Sequence, residues 1–177
     1  MALKRLDNIS VRGYSLEKER ELIRQVRKGD KEGAQSVLNG ILADILKGYS
    51  GNINEFKARV LELLVVISRA AVEGGASLKK LLCLNSQYVE EFVKFNTVED
   101  LCHWMEGVIL TFISCVNENK GMRNTQVIKK ATEYIRNNYR QKITLDDVAK
   151  AVYLSPCHLS KIFKQELGCT IMEFLTK

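Results

Sequence analysis

Residues 143–177 read ITLDDVAKAVYLSPCHLSKIFKQELGCTIMEFLTK, and this stretch decides how the rest of the chain is understood. Thr144 with Asp147 three residues on is a capping box. It opens a two-turn helix, Leu145 to Val152, whose apolar positions are Leu145, Val148, Ala149 and Val152. Ala149 is small where a second helix must cross closely. Tyr153-Leu154 makes a tight connection. Ser155 at the N-cap with Pro156 at the first helical position is a strong helix start, and it uses the only proline of the chain. The helix that follows turns Leu159, Ile162, Phe163 and Leu167 to one face and Cys157, His158, Ser160, Lys161 and Lys164 to the other. Gly168 ends it with the left-handed cap that glycine permits.

Working outward, a helix is expected from about Asn124 to Tyr139, and a last one starts at Ile171 and runs to Lys177. Charge separates this region from what precedes it. From Lys120 to Lys177 there are eleven Lys or Arg against five Asp or Glu, while Met1 to Asn119 holds sixteen of each, so the whole net charge of +6 sits in the last third. A basic module beside a neutral one suits a nucleic-acid-binding unit joined to a partner domain, although a solvated basic face has the same composition. Two short helices on a tight turn, the second with a small, polar and basic outer face, fit a helix laid in the major groove with its N-terminal residues at base edges.

Upstream, the apolar residues recur at helical spacing and strand-like alternation is scarce, so the expected fold is all-α: an N-terminal multi-helix bundle followed by a three-helix unit. Residues 1–14 read as a flexible lead-in. Ser15 caps a charged helix, Leu16–Lys28, with a narrow stripe of Leu16, Leu22, Ile23 and Val26. Asp30 starts a second helix, Asn52 to Glu55 reads as a capping box, and Phe56–Val72 is the most hydrophobic helix and the expected centre of residues 15–119. Short helices are expected at Leu78–Cys83 and Gln87–Phe95, then a long one capped at Thr97 and ending near Val116. Asn117 to Gly121, polar and ending in glycine, is the expected linker.

The run 143–177 resembles the first helix-turn-helix of AraC-type bacterial transcription regulators. The matching features are T-L-x-x-V-A, the L-S-P turn, H-L-S-x-x-F-K and the E-L-G continuation, with VIKKATEYIRNNYRQ ahead of them as a leading helix. The resemblance implies that Cys157, Ser160 and Lys161 face bases, with His158 and Lys164 nearer the DNA backbone. It also implies RNA polymerase as a partner of the whole regulator. Domains of this family carry two helix-turn-helix units joined by a long helix, and the sequence reaches Lys177 early in that helix. The expectation is therefore a piece of a longer regulator that binds DNA weakly by itself. Residues 15–119 are similar to the helical region between sensor and DNA-binding domain in AraC-type regulators with a PocR-like sensor, on the strength of RVLELLVVISRAAVEGG. This implies a relay or dimerisation module. The charged helix Leu16–Lys28 is the expected interface of a homodimer, with a solvated surface helix as the other reading.

Other chemistry finds little support. Five cysteines without CxxC pairing suit a reducing cytoplasm. Cys102 and His103 are adjacent on a helix and point apart, so with Cys115 they make poor metal ligands and better packed residues. Arg69 and Glu73 are read as a simple i,i+4 pair, or as a polar contact for a small ligand. No secretory signal, membrane span, P-loop or dinucleotide fingerprint is read, and no nucleophile or acid–base set. No enzyme activity, cofactor or metal is expected. Two readings remain: a DNA-binding regulator, or a helical interaction module whose helix-turn-helix does not bind DNA alone.

Overall fold

The computed structural model describes residues 14–141 and 143–175. Within them the fold is all-α, with eight helices and no strand. The residues group into two units, Met1–Asn119 and Lys120–Lys177. Unit 1 holds α1 (Leu16–Lys28), α2 (Lys31–Lys47), α3 (Ile53–Glu73), α4 (Leu78–Phe92) and the first part of α5 (Val98–Asn138). Unit 2 holds the rest of α5 with α6 (Leu145–Ala151), α7 (Pro156–Leu167) and α8 (Ile171–Leu175).

The helices of unit 1 begin where side chains answer the orphan N–H groups of a first turn. Ser15 Oγ accepts from the Lys18 N–H at 3.3 Å, Asp30 Oδ1 from Gly33 at 3.1 Å and Thr97 Oγ1 from Asp100 at 3.1 Å. Caps of this kind contribute about 1 kcal/mol each. Asn52 caps α3, but Glu55 does not complete a reciprocal box. Its carboxylate takes the Asn52 side-chain amide at 3.2 Å and the Ser50 hydroxyl at 3.2 Å instead of the Asn52 backbone.

The core of unit 1 centres on α3, which buries Phe56, Val60, Leu63, Leu64, Ile67 and Ala71. Against it pack Leu22 and Val26 of α1, Leu38 and Ile41 of α2, and Met105, Ile109 and Phe112 of α5. The C-terminal turns of α1 and α3 meet closely: a Cβ on Gly74 would lie 2.8 Å from the Arg27 carbonyl oxygen.

Several expectations change. The stripe of α1 is largely taken up within the chain: Leu22 and Val26 are fully buried against α2 and α3 and Ile23 is half-buried, which leaves only Leu16 of the four exposed. Tyr14, assigned to a loose lead-in, is buried and donates its hydroxyl to Glu19 at 3.1 Å, pinning the approach to α1; residues 1–13 lie outside the described residues. The two short helices after Ser77 are one, α4. Its polar middle is accommodated: the Asn85 amide donates to Ser68 Oγ at 2.8 Å and the Ser86 hydroxyl to the Leu82 carbonyl at 3.2 Å.

The expected linker Asn117–Gly121 is helical, within α5. Its polar residues serve neighbouring helix ends: Asn117 donates to the Gly29 carbonyl at 3.0 Å, Asn119 to the Gly75 carbonyl at 2.7 Å, and Glu118 takes the Lys80 ammonium at 2.7 Å. Glu73, read as the partner of Arg69, pairs with Arg27 of α1.

Candidate nucleic-acid interface

Unit 2 builds its outer face from a small core. Val148 and Ala149 of α6 and Leu159, Ile162 and Phe163 of α7 are buried together with Ile128, Ala131 and Ile135 of α5. The Phe163 ring meets Phe174 of α8 edge-on, centroids 5.6 Å apart. Ala149 is almost fully buried, as a close α6–α7 crossing demands. The capping box of α6 is complete. Asp147 N–H donates to Thr144 Oγ1 at 3.2 Å, and the Asp147 carboxylate takes the Thr144 backbone N–H at 3.0 Å and its hydroxyl at 2.6 Å. The hydroxyl first, then the backbone N–H, holds the Asp147 carboxyl below its ordinary value.

The turn between α6 and α7 is a Schellman motif. The Leu154 N–H bonds the Ala149 carbonyl at 3.0 Å and the Tyr153 N–H bonds the Lys150 carbonyl at 3.2 Å. Tyr153 occupies the left-handed position at φ 58°, where glycine is usual, and its ring is 94% exposed. Ser155 then caps α7 by accepting from His158 N–H at 3.3 Å, with Pro156 at the first position. Gly168 closes the helix at φ 71°, its N–H on the Lys164 carbonyl at 3.0 Å.

These constraints leave one face of α7 open. Cys157, Ser160, Lys161 and Lys164 line a shared groove, joined by Gln165 and by Leu145 of α6. His158 is exposed but stands off this groove, while Lys164, expected farther from the bases, is on it. Neither Lys161 nor Lys164 makes an ion pair among the described residues, so both charges are available to a ligand. Gln165 escaped the sequence reading; its signal is the i+4 step from Lys161, which repeats the step from Cys157 to Lys161.

Elsewhere, Cys102 packs against the unit 1 core, where burial pushes its thiol up, while His103 is exposed beside Glu106 at 3.7 Å. The two point apart as their adjacency requires. Among the described residues no group of three or more His, Cys, Asp or Glu is arranged to hold a metal ion, and no helix is long and apolar enough to cross a membrane.

The sequence profile of bacterial regulatory helix-turn-helix proteins of the AraC family matches residues 135–176, from the end of α5 through α8. This chain carries an AraC-family helix-turn-helix. The lactose operon transcription activator of Staphylococcus xylosus is 47% identical over 49 residues, 28% of this chain and 18% of that protein. Similarity to the uncharacterized HTH-type transcriptional regulator YtdP of Bacillus subtilis runs much farther, 25% identical over 166 residues, 88% of this chain and 20% of that one. The bifunctional transcriptional activator/DNA repair enzyme AdaA of Bacillus subtilis is 33% identical over 61 residues, 34% of this chain and 29% of its own. The chain thus matches less than a third of the length of each of these relatives. No solved structure matches it.

Proposed function

We propose that this chain supplies DNA recognition to a transcriptional regulator, with α7 of its AraC-family helix-turn-helix as the reading helix. The observation that carries the reading is the outer face of α7. Two lysines with no ion pair among the described residues, Lys161 and Lys164, stand there with Cys157, Ser160 and Gln165 on a helix capped at both ends. Lys161, Ser160 and Cys157 lie toward the N-terminal part of α7, the part that reaches base edges in helix-turn-helix complexes. His158, exposed off the groove, is assigned to the phosphate backbone. Gln165 adds an amide able to pair bidentately with adenine. Neither Cys157 nor Ser160 dictates a base, so sequence preference rests mainly on Lys161 and Gln165. The reading puts the protein in the cytoplasm, with RNA polymerase as a partner of the whole regulator.

The test is fluorescence anisotropy on duplex DNA over a salt series, comparing the chain with its Lys161→Ala, Lys164→Ala double variant. Each phosphate contact contributes about 0.9 to the slope of log K against log salt, so loss of one or two contacts flattens the slope by about 1–2. Binding with that flattening supports the proposal. No binding even at low salt favours a helical interaction module whose helix-turn-helix does not bind DNA by itself.

A further inference from the structure

The inward face of α4 packs Leu81, Tyr88 and Phe92 on the unit 1 core. Beside it runs a second apolar stripe that none of the described residues covers. Leu78, Leu82, Val89 and Val93 are each between 49% and 68% exposed, and Val65 of α3, 50% exposed, extends the surface across the α3–α4 groove. Exposed aliphatic residues scattered singly need no explanation, but these fall in line. Leu78, Leu82, Asn85 and Val89 are spaced four, three and four residues apart, the rhythm of a helix-pairing seam, and Val93 extends it by one turn. Asn85 sits at its midpoint. Its side chain turns toward α3, where the amide N–H donates to Ser68 Oγ and the buried Oδ1 has no hydrogen-bond partner among the described residues.

The charges flanking the seam select the occupant. On its solvent side Lys79 stands near one end and Glu90 near the other, both exposed and neither ion-paired among the described residues. Their neighbours Lys80 and Glu91 lie on the opposite side and are engaged, with Glu118 and with the Trp104 indole N–H. A helix face that is basic at one end and acidic at the other complements itself when the second copy runs antiparallel.

We infer that α4 is the homodimer interface, paired antiparallel about a two-fold axis at Asn85. In this register Leu78 meets the partner's Val93, Leu82 meets the partner's Val89, and Asn85 lies beside the partner's Asn85. Lys79 falls beside the partner's Glu90, and symmetry repeats the contact. A parallel copy would leave Lys79 and the partner's Glu90 at opposite ends of the seam and forfeit both pairs. The inference rests on unit 1 and is independent of the DNA-binding proposal.

Sedimentation equilibrium of the 177-residue chain, without DNA, tests it. The wild type is expected to be a dimer at concentrations on the order of 10 µM. Leu82→Glu buries a charge on each side of the axis and raises the dimer Kd by about a hundredfold or more, with an unchanged helical circular dichroism spectrum because Leu82 is exposed in the single chain. Lys79→Glu replaces attraction by repulsion twice and raises Kd roughly tenfold, and adding Glu90→Lys restores it. A monomeric wild type, a dimer indifferent to Leu82→Glu, or a double swap that does not recover the wild-type Kd would each overturn the assignment.

Discussion

Tyr153 offers the sharpest test of how the helix-turn-helix is held. It sits at φ 58° in the Schellman turn that directs the chain from α6 into α7. An L-residue in the left-handed region costs about 1–2 kcal/mol, and glycine avoids that cost. Glycine loses more freedom on folding, which offsets about 0.5–1 kcal/mol. The ring is 94% exposed, so its removal forfeits almost no packing. Tyr153→Gly is therefore expected to stabilise unit 2 by about 0.5–1 kcal/mol net. That slows exchange of protected amides in α6 and α7 by roughly two- to fivefold, read by hydrogen exchange at Leu159, Ile162 and Phe163. Tyr153→Ala keeps the left-handed cost and is expected to change exchange little. A Tyr153→Gly chain that exchanges faster, or a Tyr153→Ala chain as labile as a core variant, would refute the reasoning, because the ring would then be a packing element.

Two further outcomes follow from the caps and the close approaches. Gly29 combines φ +76° with a neighbour 2.0 Å from where a Cβ would sit, the Asn117 Oδ1. Gly29→Ala is expected to cost about 2–3 kcal/mol in urea unfolding followed by Trp104 fluorescence. In an Asn117→Ala background that cost falls to about 1 kcal/mol, since the clash and the displaced hydrogen bond are already gone. Asp147 has a folded-state pKa depressed below its ordinary value of 3.8. The contribution of its capping box is thus complete above that value and is lost as pH falls through the lower folded pKa. Carboxyl NMR should place the Asp147 midpoint below 3.8, with α6 fraying over the same interval. An Asp147→Asn chain should show no such step.

Much of this protein is legible one turn at a time. Ser15, Asp30, Thr97, Thr144 and Ser155 each open a helix by reaching an N–H two or three residues away, and Gly29 and Gly168 end helices by a backbone angle of their own. The boundaries of α1 and α7, and with them the outward set Cys157, His158, Ser160, Lys161 and Lys164, are therefore written locally. Burial of α3 is also legible, because its apolar residues occupy most of its circumference.

What sequence by itself could not determine is what answers a polar or apolar side chain across the fold. Asn117 and Asn119 look like linker residues until their amides are seen on carbonyls 88 and 44 positions earlier, and Asn85 looks like a helix break until it reaches Ser68, 17 positions back. The narrow stripe of α1 suggests an interface until tertiary packing buries it, and the stripe of α4 suggests nothing until the same packing leaves it bare. Caps and turns are decided by neighbours in sequence. Which surface remains open to a partner is decided by which helices the core has already brought together.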